Sequence, residues 1–352
     1  MKNGQLTFND VAVGTAPPTW SLGPWTTSHI ARYCAATENW ERQHYDYIYA
    51  TRHDRLPNVM ANGGWRKYVL SRLLKDWAGI DGWIWKLHTR YTQIHFPDDT
   101  FQVWARVLRK FEADGMGIVE MEAGMRNQRG EETTPARAMV ALPLRRGEAV
   151  RLPFVPPAGI DFESTFRKPK TTNEPKHVTA EVEAMIGHET DEVEAADAVS
   201  ASELRRIAQA IPDMDPLYWN EAYARGTRHK GIVAPALFPV DGFRQPPHLP
   251  DRLTEKLLED PDFQGGPPWD RRLLVDIPLK TPLTSNINGG QEFEVFDLAR
   301  LGERLRASRR IADIYETESA KFGRAVYRIE DVTYKNAAGR VILTGRIALI
   351  YR

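Results

Sequence analysis

The sequence predicts an α+β protein in which two antiparallel sheets are each associated with a central helix. Three observations carry that prediction. The chain has 352 residues, about twice a usual domain of roughly 100–200 residues. A proline-rich, aperiodic stretch over residues 151–177, RLPFVPPAGIDFESTFRKPKTTNEPKH, divides it; such composition favours extended and turn backbone. The two sides repeat. ENWERQHYDYIYA (38–50) matches PDMDPLYWNEAYA (212–224), pairing Asn39 with Asp213, His44 with Tyr218, Asp46 with Asn220 and Ala50 with Ala224. After one residue of slippage NVMAN (58–62) aligns with GIVAP (231–235). A period of half the chain indicates a duplicated domain rather than a solenoid. The expected units are residues 1–150 and 178–352, with 151–177 as linker.

Each unit is expected to open with a short helix, over 28–37 and 202–211, followed by the repeated segment and a small-residue turn. In GGWRKYVLSRLLKDWAG the apolar Trp65, Tyr68, Val69, Leu73 and Trp77 recur at three- and four-residue steps, and Gly79 stands where a helix ends. That is the pattern of a long helix with one apolar face. IWKLHTRYTQIHF, TFQVWARVLRKFEA, GIVEMEAGMRNQ and ARAMVALPL follow, separated by turns at Pro97-Asp98-Asp99, Gly115 and Gly130. Their alternation predicts an antiparallel meander buried on one face. The second unit closes likewise with QEFEVF, RLRASRRIADIYET, AVYRIEDVTYKN and RVILTGRIALIYR. Where its central helix should lie, Pro235, Pro239, Pro246, Pro247 and Pro250 intervene. Proline breaks a helix interior, so this helix should be short or displaced, leaving a deeper cavity over the sheet.

Composition narrows the function. Lysine plus arginine balances aspartate plus glutamate at 47 each, which gives no basic excess for phosphate neutralisation and makes nucleic acid an unexpected partner. The one cysteine, Cys34, forms no intramolecular disulfide and is expected as a small core residue. The N-terminal MKNGQLTFNDVAVG has no apolar leader core, and no stretch reaches the roughly 20 apolar residues of a membrane span; a cytoplasmic location and no membrane partner are expected. His53, His88, His95 and His229 lack metal-ligand spacing, and Gly63-Gly64 lacks a nucleotide-binding fingerprint. No metal and no redox cofactor are therefore expected.

AATENWERQHYDYIYA followed by NVMANGGWRKYVLSRLL resembles the MaoC-like hydratases, hot-dog-fold enzymes that add water to acyl-CoA thioesters or remove it. The resemblance spans nearly the whole chain and implies a tandem, or double, hot-dog fold. It places His44 on the family's catalytic histidine, Asp46 on the aspartate after it, and Gly63 on the glycine that opens the central helix. The second half, with Tyr218 in the histidine position, resembles the degenerate partner domain of double hot-dog dehydratases. One departure is central: the catalytic aspartate position holds Asn39.

Hydration of an enoyl thioester needs a proton acceptor for water, a proton donor at C2 and donors for the enolate oxygen. An amide orients water but does not take its proton. Three arrangements follow: histidine chemistry by His44 alone, a carboxylate supplied by Glu38, or a silent domain that binds acyl-CoA without turnover. The Gly63 amide at a positive helix end suits the thioester oxygen. Gly64, Asn62, Asp46 and Trp65 are the neighbouring candidates for substrate binding, although Asp46 also reads as a cap. Arg66, Lys67, Arg72, Arg106, Arg109 and Lys110 are expected as solvated surface, with CoA phosphates the alternative. A bulky acyl group, a homodimer formed through sheet edges, and thioester hydrolysis as a rival reaction complete the expectations.

Overall fold

The computed structural model describes residues 5–160, 162–164, 166, 172, 175–266, 270–274, 277, 279, 283, 286–319 and 323–352. In the first half, strand β1 (Trp20–Leu22) and helix α1 (Thr27–Thr37) precede helix α2 (Gly64–Ala78). Strands β2 (Trp83–Arg90), β3 (Phe101–Ala113), β4 (Met116–Asn127) and β5 (Ala136–Leu142) form the meander. The second half contains α3 (Ala180–Glu183), β6 (Val193–Glu194), α4 (Ala201–Ala210), α5 (Glu221–Gly226) and α6 (Arg252–Glu259). It ends with β7 (Asn286–Val295), β8 (Arg306–Ser319), β9 (Gly323–Lys335) and β10 (Val341–Tyr351).

The two expected sheets are one. Among the described residues ten strands join in the order β1-β3-β4-β5-β2-β7-β10-β9-β8-β6, and the seam is the antiparallel pair β2–β7, with Leu87 opposite Phe293 and His88 opposite Glu292. Trp83 reinforces the seam by donating its indole N–H to the Val295 carbonyl at 2.8 Å. The reason is geometric: each half leaves an edge strand whose backbone groups need partners, and the copies satisfy one another. The first β-segment also ends earlier than its alternation suggests, at Arg90. Beyond it the chain leaves the ladder, and the His95 carbonyl accepts from the Ala61 amide at 2.8 Å, tying residues 91–96 to the approach to α2.

Helix α2 is the core of the first half. Trp65 is fully buried and stacks on Trp25 with ring centroids 4.1 Å apart. Arg66 and Lys67, expected as solvated, are buried as well, because α2 is covered by both halves rather than lying on the surface. Among the described residues of the second half no equivalent long helix forms. Phe238–Asp241 makes a single 3₁₀ turn, the proline-bearing stretch follows, and α6 buries none of its residues. The sheet of the second half is thus left open beside α2, as the prolines require. Helices α1 and α4, the paired openers of the two copies, pack against each other. Among the described residues no helix is long and apolar enough to cross a membrane.

Candidate active site

The open side of the second-half sheet and the N-terminus of α2 enclose a cavity of about 940 Å³. The first half contributes Tyr33, Asn39, Glu41, His44 and the Asn62–Gly64 turn; the second contributes Asp241, the Asp260–Gly265 loop, and residues of β7 and β10.

His44 ends a 3₁₀ turn, Arg42–His44, whose N-cap is Glu41. It is buried, and its Nδ1 lies 2.8 Å from the Met60 carbonyl oxygen. A carbonyl only accepts, so Nδ1 carries a proton, which leaves Nε2 as the ring nitrogen that can gain or lose one. Nε2 is 3.4 Å from Oε2 of Glu41. Three-residue spacing on a 3₁₀ turn stacks side chains above one another, which brings the two together. Asn39 holds this arrangement in place: its Oδ1 accepts from the Glu41 amide at 3.1 Å. Asn39 thus braces the backbone of a nearby carboxylate.

A loop of the second half grips the same turn from outside. The Arg42 amide donates to the Gln264 carbonyl at 2.8 Å, the Arg42 guanidinium to the Pro261 carbonyl at 2.8 Å, and Gln264 Nε2 to Gln43 Oε1 at 3.0 Å. A Cβ on Gly265 would lie 2.1 Å from the Trp40 carbonyl oxygen, so this approach is open only to glycine.

The helix end supplies donors. The amides of Gly63 and Gly64 open α2, in the first turn where helix geometry leaves N–H groups without intrahelical acceptors. A Cβ on Gly64 would lie 2.6 Å from the Tyr33 hydroxyl, and one on Gly63 would lie 3.0 Å from the Tyr91 ring. The two glycines therefore let aromatic side chains close on the helix end. Burial, reinforced by Asp241, holds the Tyr33 hydroxyl well above its usual range, so it remains a donor. Asn62 is buried; its Oδ1 faces the Cys34 thiol at 3.5 Å, and its Nδ2 has no hydrogen-bond partner. An orphan amide at a cavity wall is costly unless a ligand accepts from it.

His44, Asn39, Asn62, Gly63 and Gly64 thus meet at one cavity, and three other candidates stand apart from it. Glu38 caps α1 in a left-handed conformation, φ 52°, and turns outward towards Arg244 at 3.8 Å. Asp46 pairs with Arg42 at 2.9 Å and accepts from the Tyr49 amide, the local contacts of a cap. These contacts, the amide bond foremost, hold its carboxyl below the usual carboxylate range. Trp65 belongs to the core. Sequence reasoning passed over Glu41 and Tyr33. The three-residue step from Glu41 to His44 is a usable signal once the segment is known to be a 3₁₀ turn. Tyr33 carries none, because only the folding of α1 against α2 brings it to the site.

Residues 184–345 match the family model described as FAS1-like, dehydratase domain region. A MaoC domain protein dehydratase of Chloroflexus aurantiacus superposes with a TM-score of 0.65 at 12% identity, covering 99% of this chain and 98% of that one. A Mycobacterium tuberculosis protein described as having a double hot-dog fold superposes with a TM-score of 0.59 at 12% identity, covering 99% of both chains. The chain has the double hot-dog fold of the MaoC-like dehydratases. No curated protein sequence matches it. Within the double hot-dog, the dehydratase-region match lies on the half that carries Tyr218, while the His44–Glu41 pair lies on the other half.

Tyr218, which the sequence repeat pairs with His44, lies in a polar cluster. Its hydroxyl donates to Asp213 Oδ2 at 3.1 Å, and Lys75 of α2 reaches Asp213 at 3.0 Å and Asp215 at 2.6 Å. Tyr218 and Asp213, which the sequence repeat pairs with His44 and Asn39, thus belong to a polar cluster with Lys75 that joins the two halves.

Proposed function

We propose that the protein is a hydro-lyase that hydrates 2-enoyl-CoA or dehydrates 3-hydroxyacyl-CoA, with the acyl group in the cavity between the halves. The observation that carries this reading is the pair of buried His44 and half-buried Glu41, 3.4 Å apart, facing the same cavity as the N-terminus of α2. The thioester oxygen accepts from the Gly63 and Gly64 amides, where donors meet the charge of the enolate. His44 Nε2 removes a proton from water as its oxygen bonds to C3. The C2–C3 π electrons pass into the thioester as enolate. The imidazolium so formed is held between the Met60 carbonyl and the Glu41 carboxylate, and the pair returns a proton to C2. The net change is addition of one water, and the reverse sequence is dehydration. Addition of water changes no overall oxidation state, so the scheme needs no redox cofactor.

The cavity of about 940 Å³, left by the missing second helix, supports a bulky acyl group. The test is incubation of the purified protein with enoyl-CoAs from crotonyl to ring-bearing acyl groups, following mass gain of one water and release of free CoA. Hydration abolished by His44→Ala supports the reading. CoA release without water addition replaces it with a thioesterase, and binding without turnover replaces it with a silent acyl-CoA-binding subunit.

A further inference from the structure

Beyond the helix end the cavity wall is not purely apolar. Lys67 lies four residues after Gly63 on α2, roughly 6 Å further along the axis and on the same face. It is 1% exposed and lines the cavity. Its Nζ lies 3.3 Å from Asp241 Oδ2 and over the rings of Tyr68 and Phe293, at 5.0 and 5.6 Å. An ammonium has three donors, and Asp241 is its one ion-pair partner among the described residues. Asp241 also accepts from the Tyr68 hydroxyl, which leaves Lys67 as the group with donors to spare. Tyr33, at the same wall, is buried with its hydroxyl beside Gly64.

A hydrocarbon chain laid against these groups would leave buried donors unsatisfied, a standing cost. An oxygen on the chain would satisfy them. Charge decides which oxygen: Asp241 already balances Lys67, so an added carboxylate would face Asp241 as a like charge, whereas a neutral acceptor would not. We propose that Lys67, Asp241 and Tyr33 form an acyl-recognition subsite for a CoA thioester whose chain carries a keto or hydroxyl oxygen beyond the reacting carbons. This rests on the acyl-CoA reading above and adds the substrate class to it.

The test uses saturated ligands, so that binding is separated from turnover. Calorimetry with the full chain compares octanoyl-CoA with octanoyl-CoAs bearing a ketone at successive positions along the outer half of the chain, and with suberyl-CoA, which ends in a carboxylate. At least one keto chain is expected to bind about tenfold tighter than octanoyl-CoA. The charge-balanced double variant Lys67→Met with Asp241→Asn should reduce that preference to within about twofold. Equal binding of keto and plain chains by the parent protein, or an unchanged preference in a folded double variant, overturns the subsite. Tighter binding of suberyl-CoA than of every keto chain overturns the neutral-oxygen assignment. If octanoyl-CoA and all its derivatives fail to bind, the acyl-CoA reading itself falls, a result distinct from binding without preference. The parent comparison requires no variant, so misfolding of the double variant leaves it decisive.

Discussion

A histidine moves protons efficiently when one ring nitrogen is held and the other is free to react. His44 meets that condition through the Met60 carbonyl, and Glu41 gives the charged ring a counterion. Two variants separate this pair from its neighbour. His44→Ala and Glu41→Gln should each lower enoyl-CoA hydration by about 100-fold or more, while Glu38→Gln, on a side chain directed at Arg244, should stay within about twofold. Steady-state rates on a common enoyl-CoA decide it; an equal loss in Glu38→Gln would return the carboxylate role to that residue. Cys34 is a simpler case. Burial pushes its thiol up to about 12, so at about pH 8 the folded protein should resist alkylation by iodoacetamide and be labelled only after denaturation. Mass spectrometry before and after unfolding reads the result.

At the scale of elements, the site depends on a clamp that touches no reacting atom. The Asp260–Gly265 loop fixes the turn carrying Glu41 and His44 through Gln264 and the close approach at Gly265. Gly265→Ala should therefore push the turn away and reduce kcat by about tenfold or more, with a smaller change in melting temperature. A comparable loss of both would mean that the loop is ordinary packing. This dependence also marks the limit of what the sequence discloses. The helix starting at Gly64 follows from its apolar step and Gly79, and the meander follows from alternation, because these patterns report burial directly. His44 stands out through the repeat. Glu41 does not, since its role arises from a 3₁₀ turn that side-chain periodicity does not announce. Nor does Gln264, which reaches Gln43 across a separation of 221 residues. The burial of Lys67 is similarly hidden, because its covering partner Asp241 comes from the other half.

The whole molecule carries a pH dependence of its own. Burial, with Arg228 and Arg300 nearby, lowers His229 to about 4, and burial also lowers His88 and His95. An unfolded histidine binds its proton near pH 6.5, whereas the folded His229 resists until about 4. Between these values the unfolded chain holds more protons, so the stabilisation is present above about pH 6.5 and is lost as pH falls towards the folded value. Thermal melts over this range should show a falling Tm, and His229→Gln should flatten the slope. An unchanged slope would assign the acid sensitivity to the other histidines.

The β2–β7 seam has a further consequence, in the order of events during synthesis. Val295 and Trp83, which meet across it, are 212 residues apart in the chain, and loop closure over such a distance is slow compared with local pairing. The first half can build its meander and α2 as it emerges, but Lys86–Arg90 must wait for Gly290–Glu294 before that edge is paired. Until then the nascent chain presents an open strand edge, the feature most prone to pairing with a wrong neighbour. The same contact that completes the sheet is therefore the one whose delay exposes the chain to aggregation while it is being made.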